Sequence, residues 1–451
     1  MNSSLGLEDI LLLIPLELFL VILNLSDTST IFSLSRISKK YLNYKTIRTF
    51  IVGNTIETIH LNAVSNGYLD QFRWLLPVIE PIWTANRKIC WLHVTNIREA
   101  AAKHNQIQIL KSLHKNKCGW SKATFDSAVM NGNLEVLKYL HETSGCYWNK
   151  TTIILAIKGG HLNVLKYLHE NKCPWDIFAY ETAVTTGHLE ILRYLHENGC
   201  ERSRRSCTKA AKNGHLEMLK YLHETCHPWD KFAYSAAALN GHLDILKYLY
   251  ENRCPRQRRG DYWPCYNAAL NGHLECLQYL HEHGFEWDAW ACAKAAINGH
   301  LEVLKYLYEN GCPLNESTYY GAAKNGHLEC LQYLHENKCP WNAISCWLAA
   351  KNGHLECLQY LYVNGCPLIE NTLTDAARNG HLEVVKYLHE NKCPANRYGC
   401  CAVVCQNGHL EILKYLRENG YPWSCWSRTN AARNGHTEIL QYLNENGCPG
   451  R

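Results

Sequence analysis

The sequence predicts an all-α solenoid of about 14 stacked helix–turn–helix repeats, with a small helical domain at its N-terminus. Three observations predict it. A phrase close to Asn-Gly-His-Leu-Glu-Val-Leu-Lys-Tyr-Leu-His-Glu-Asn-Gly-Cys-Pro-Trp recurs down most of the 451 residues. Its turn glycine falls at Gly132, Gly160, Gly187, Gly214, Gly241, Gly272, Gly299, Gly326, Gly353, Gly380, Gly408 and Gly435, so eight of the eleven gaps are 27 residues, two are 28 and one is 31. Within each copy the apolar residues fall at helical spacing, and a capping residue opens a further helix soon after a proline.

Taken in chain order, residues 8–50 form a first helical segment, 51–104 a degenerate first repeat and linker, and 105–451 the regular array. Weaker copies of the turn stand at Gly67 and Asn105. The repeat from Gly299 to Asn325 shows the local logic. Leu301, Val303, Leu304 and Leu307 make one apolar helix face, and Glu302 with Lys305 makes a solvated pair on the other. Asn310-Gly311 ends that helix, because glycine tolerates the left-handed cap. The next helix is opened by a column of helix-capping types: Ser121, Asn149, Asp176, Ser203, Asp230, Asp288, Asn315, Asn342, Asn396 and Ser424. Trp precedes the cap at 120, 148, 175, 229, 287, 341 and 423, and an aromatic residue often holds the fourth helical position (Phe125, Tyr180, Tyr234, Tyr319). This is a hydrophobic-staple pattern, a cheaper reading of the Trp column than a ligand cage. Thr437 and Asn444 depart from the repeat where a polar terminal cap is expected.

Composition narrows the function. Charged residues are 19% and hydrophobic ones 47%, which fits a folded chain. A net charge of +5 is small for this length and does not by itself imply nucleic acid, whose binders usually carry a strong basic stripe. The stretch Ile10 to Leu25 is short for a bilayer span and contains Pro15 and Glu17; Glu8 and Asp9 before it are the wrong charge for a signal peptide. A soluble, non-secreted protein follows as the expectation, cytoplasmic or nuclear, with no membrane partner. Ten of the 23 cysteines share one repeat position, from Cys118 to Cys448. Equivalent positions on stacked helices lie roughly 8–10 Å apart, too far for a disulfide, which needs about 7 Å or less between Cα atoms. Small buried thiols are expected instead.

No catalytic, cofactor or metal site is expected, and the chain does not read as an enzyme. Eleven of the 24 histidines follow the turn glycine and eight end the second helix, so they track the repeat and not a singular site. Cys400, Cys401, Cys405 and His409 break the period, but tetrahedral zinc needs four convergent ligands, and buried thiols are preferred there. Irregular charge is more informative. Arg202, Arg204 and Arg205 lie in one inter-repeat segment, and Arg256, Arg258 and Arg259 lie in the single long gap. They are expected to contact an acidic client, with a solvated loop as the plain alternative.

The phrase Ala-Ala-Lys-Asn-Gly-His-Leu-Glu, with the apolar second helix and the closing Gly plus small residue, resembles the ankyrin-repeat pattern over about residues 105–451. The usual ankyrin repeat is about 33 residues long and opens with Thr-Pro-Leu-His. Here the repeats are shorter, that opening is missing, and the β-turn finger has little room. Short arrays of this style resemble ankyrin families expanded in large DNA viruses and protists; a viral source would place the protein in the cytoplasm or nucleus of a host cell. At the other end, Ile14-Pro15-Leu16-Glu17, then Ile22-Leu23 and Leu25, a polar turn from Ser26 to Thr30, and a helix ending in Ser38-Lys39 resemble an F-box. Read from the residues alone, these are two short amphipathic helices that could equally cap the first repeat. The resemblance implies docking to the adaptor subunit of a cullin-type ubiquitin ligase through Ile14, Pro15, Leu16, Glu17, Ile22, Leu23 and Leu25. A substrate-recruiting ligase adaptor is thus the leading reading. A scaffold or competitive inhibitor without a ligase link is the second. A nucleic-acid binder working through the arginine segments is the third.

Overall fold

The structure, a computed structural model, describes residues 96–115, 120–144, 148–256 and 263–449. Among them are thirteen helix pairs and no strand, beginning with a helix over 96–103 paired to Ile107–Lys115 and ending with Ser427–Arg433 paired to Thr437–Glu445. The chain divides into two compact units, Met1–Ser203 and Arg204–Arg451, and the same pairing is seen in each. The possible F-box lies outside the described residues.

One repeat of the second unit explains the rest. Its first helix, α1, is Ala289–Ile297; its second, α2, is Leu301–Glu309. Asp288 opens α1 with extended backbone, and its carboxylate accepts from the Trp290 amide at 3.0 Å. Gly299 turns the chain at φ +73, where a side chain on Cα would be strained. The second helix closes at Gly311 as the Cys312 amide reaches back to the Leu307 carbonyl at 2.9 Å, a Schellman closure. Asp288 through Asn315 then repeats the cycle, with no strand or hairpin finger in the connection.

The two helices do different work in the core. Ala291, Cys292, Ala295 and Ala296 bury one flank of α1, and Val303, Leu304 and Leu307 bury one flank of α2. Small residues let first helices lie close against the first helices of neighbouring repeats, which is where the densest packing falls. At Gly321, on the next first helix Glu316–Asn325, an added Cβ would stand 2.3 Å from Cγ1 of Ile297. Each leucine of a second helix, fully shielded like Leu304, contributes on the order of 1.5–3 kcal/mol by leaving water.

Side chains bear out most of the cap column. Ser121, Asn149, Asp176, Asp288, Asn315, Asn342 and Asn396 accept from amides of the helix that follows. Ser203 departs from it: its hydroxyl donates to Glu181 at 2.6 Å, and the helix begins only at Ser206. The Trp column is a packing column, but its ring partners differ from those of a staple. Trp287 packs at a tilt on His281, 3.9 Å between centroids, and meets the edge of Tyr306 at 6.1 Å. The preceding second helix and the following one therefore hold the indole.

Candidate partner-binding surface

Two ladders explain why the commonest polar residues recur. At the turn, the His327 ring lies over Gly299 of the repeat before it, and an added Cβ there would stand 2.5 Å from Nδ1. His327 Nε2–H donates to the Ile297 carbonyl at 3.0 Å, and the Asn325 amide donates to the same oxygen at 2.8 Å. A carbonyl only accepts, so the neutral imidazole carries its proton on Nε2. The Asn-Gly-His turn thereby satisfies helix-end carbonyls of the previous repeat, as again at His354 on Lys324, His409 on Arg378 and His436 on Gln406. Burial holds the His300 and His381 imidazoles below their usual pKa, with further lowering from the ladder histidines on each side, against a raising contribution from the accepting carbonyl.

The second ladder runs along the ends of the second helices. His141 Nδ1 pairs with the Tyr167 hydroxyl at 2.8 Å, His169 with Tyr194 at 2.8 Å, His223 with Tyr248 at 2.9 Å and His281 with Tyr306 at 3.1 Å. Trp148, Trp175, Trp229 and Trp287 pack against these pairs.

Two of the arginines singled out by the sequence stand where other repeats have that Trp. Arg202 hydrogen-bonds the His196 ring. Arg256 stacks on Phe285 at 4.6 Å and Tyr250 at 5.0 Å, and donates to the His283 carbonyl at 3.0 Å. Arg204 and Arg205 are exposed at the head of Ser206–Lys212. Arg258 and Arg259 lie outside the described residues.

The described cysteines of the repeat column are buried, from Cys173 to Cys448. Several of their thiols donate to the carbonyl of the preceding capping residue, as Cys312 does to Asp288 at 3.2 Å and Cys366 to Asn342 at 3.3 Å, whereas Cys254 and Cys448 donate to the carbonyl of the proline that follows. Burial pushes Cys200 and Cys393 up to about 11, and Cys254 and Cys339 up to about 12, so they stay protonated thiols. In the irregular cluster, Cys400 shares a hydrogen bond with Thr374 at 3.2 Å while His409 faces the Arg378 carbonyl. Among the described residues no three His, Cys, Asp or Glu side chains are grouped to hold a metal.

A surface feature that sequence reasoning missed is a row at the N-terminal ends of the first helices. In the second unit Phe232, Trp263, Trp290, Ile344, Tyr398 and Trp426 are all substantially exposed there. Between Trp263 and Trp290 lies a cleft of about 360 Å³ that also takes in Tyr266, Asp288 and Lys294. Trp263 meets Tyr266 edge to face at 5.4 Å, and Lys294 Nζ lies 5.6 Å from the Tyr266 ring centre. The signal was present in the sequence: each member is the second residue after a cap position, except Trp263, where the long gap obscures the register.

Charge also separates by helix type. α1 carries Lys294 and no acid, whereas α2 carries Glu302, Lys305 and Glu309, with Lys305 paired to Glu302 at 2.8 Å. Lys212, Lys324, Lys351, Arg378 and Arg433 stand in the last turns of five first helices.

The helix pairing, its Asn-Gly-His turns and its closing glycines agree with what comparison finds. The model of the family "Ankyrin repeats (3 copies)" matches in overlapping windows from 96–179 to 346–425. The chain belongs to the ankyrin-repeat family. Among solved structures it is similar to the human ASB11 ankyrin repeat domain, at 20% identity and a TM-score of 0.36, over 42% of this chain and 99% of that one. No curated protein matches it. Ankyrin repeats indicate a protein–protein interaction scaffold, and none of the geometry points to catalysis. No helix among the described residues is long and apolar enough to cross a membrane.

Proposed function

We propose that the array holds a client protein while residues 8–50 dock to the adaptor subunit of a cullin-type ubiquitin ligase. The observation that carries the first half is the exposed aromatic row on first helices whose other flank is fully packed. It leaves a long surface free for a partner, as solenoids do. The second half is supported by the resemblance of Ile14-Pro15-Leu16-Glu17, Ile22-Leu23 and Leu25 to an F-box. The segments bearing Arg202, Arg204, Arg205, Arg256, Arg258 and Arg259 add contacts to an acidic client, and the four described members, Arg202, Arg204, Arg205 and Arg256, are all exposed. Arginine suits such contacts because its planar fork binds carboxylates two bonds at a time.

Co-purification tests the ligase half. Leu16→Glu with Ile22→Glu should abolish recovery of the ligase adaptor while the array keeps its helical content and its client. Unchanged recovery of the adaptor removes the ligase role and leaves a scaffold or competitive inhibitor.

A further inference from the structure

We infer that the cleft between Trp263 and Trp290 anchors an extended acidic segment of a partner protein, with one aromatic or large aliphatic side chain seated between the indoles. This rests on the scaffold reading and gives it a site and a ligand chemistry. Trp263 is 58% exposed and Trp290 56%. Indoles so exposed and adjacent are uncommon on a free surface, and Trp is the residue type most enriched among interface anchors. The cleft volume of about 360 Å³ is at the lower end of the range for ligand pockets, enough for one anchoring side chain.

The charges around the cleft choose the occupant. Lys294 lies over Tyr266 and makes no salt bridge among the described residues. Asp288 is already engaged, because its carboxylate caps α1. A cationic guest would therefore meet an occupied cation–π seat and a committed carboxylate, and a guest with carboxylates beside its anchor meets a free ammonium. Further along the same face Lys324 and Lys351 stand in the last turns of successive first helices. Of the acids among them, Asp375 is paired with Arg378 and accepts from the Trp347 indole at 2.8 Å, while Glu316, which accepts from the Tyr320 hydroxyl at 2.6 Å, and Glu370 keep their charge.

Spacing favours an extended polypeptide. Packed helices stand about 8–10 Å apart, and a strand advances about 3.3 Å per residue. Every third side chain of an extended segment thus meets the next member of the row, and Phe232, Trp263 and Trp290 belong to three consecutive repeats. The edge-to-face pair Trp263–Tyr266 forms a notch for a side chain and not a flat platform for a base.

The test uses the full chain and a labelled twelve-residue peptide of Asp and Glu with a single central Trp. Two control peptides replace that Trp by Ala or the acids by Lys, and oligouridine of twelve nucleotides is the nucleic-acid arm. The acidic Trp peptide should bind at least tenfold more tightly than either control peptide and more tightly than the RNA. Trp263→Ala with Trp290→Ala should cost at least tenfold, with an unchanged circular dichroism spectrum and melting temperature, since both rings are exposed. Lys294→Glu, which leaves the indoles in place, should weaken the acidic peptide and strengthen the lysine one. No measurable binding of the acidic Trp peptide, equal affinity for the Ala control, equal affinity in the double variant, or preference for RNA overturns the proposal. If the double variant still captures the cellular client, the cleft assignment falls and the scaffold stands; if the unaltered chain captures none, the scaffold reading itself falls.

Discussion

Glycine serves two different purposes within one repeat, and substitution separates them. Gly299 (φ +73) and Gly311 (φ +86) are both left-handed, so Ala at either carries about 1–2 kcal/mol of backbone strain. At Gly311 the new methyl would meet nothing within 4 Å, whereas at Gly299 it would stand 2.5 Å from Nδ1 of His327. Gly299→Ala must therefore also displace the ladder histidine and strand the Ile297 carbonyl, a further cost of about 1–3 kcal/mol. Urea denaturation of the two variants should show Gly299→Ala the less stable; equal midpoints would mean that the ring is not held there. Tyr194→Phe is a milder probe of the other ladder. It deletes the 2.8 Å bond to His169 and should cost about 0.5–1.5 kcal/mol in the same assay. The sequence showed that these residues recur; it could not show that His327 and Asn325 share one carbonyl acceptor, because both reach 28 residues or more back along the chain.

At the scale of elements, the helices were legible because spacing and caps agree. Val303, Leu304 and Leu307 mark the buried flank of α2, with Leu301 half-buried at its start, and Asp288 marks the start of α1. At Ser203 the hydroxyl donates to Glu181 and the helix starts only at Ser206, as the helices after Asp230 and Ser424 start only at Ala233 and Ser427. The Trp column was read correctly as packing, but the indole's ring partners come from the flanking second helices, a contact between elements that a linear staple pattern does not contain. The turn ladder makes a prediction about pH. His300 and His381 are held below the usual imidazole value of about 6.5, chiefly by burial. Their neutral form is favoured in the fold, so the unfolded chain takes up the proton first as pH falls. Stability from these sites is complete above about pH 6.5 and is lost as pH drops through the lowered folded values. The urea midpoint should fall between pH 7.5 and pH 5.5. His300→Gln with His381→Gln should flatten that dependence, and a slope unchanged in the double variant would show that these two sites do not set it.

On the scale of the whole molecule, the net charge of +5 concealed how charge is distributed. Overall balance reflects basic first helices offset by acidic second helices, and only pairing the helices in space reveals two kinds of surface. The aromatic row was hidden for the same reason: Phe232, Trp263 and Trp290 are 27 or more residues apart and become neighbours through stacking. Stacking also dictates how damage spreads. Each repeat of the second unit packs on the ones beside it, so stability is a sum of local and nearest-neighbour contributions. Leu304 is fully buried between its own first helix and the adjacent repeats. Leu304→Ala should cost about 2–5 kcal/mol of local stability through lost transfer energy and the cavity left behind. Because that loss is carried by few interfaces, native-state hydrogen exchange should quicken in Ala289–Ile297, Leu301–Glu309 and the flanking Leu274–Glu282 and Leu328–Glu336. The amides of Leu410–Glu418, four repeats along, should keep their protection. Uniform acceleration across the unit would instead show that it opens as one cooperative block, and the nearest-neighbour account would then fail.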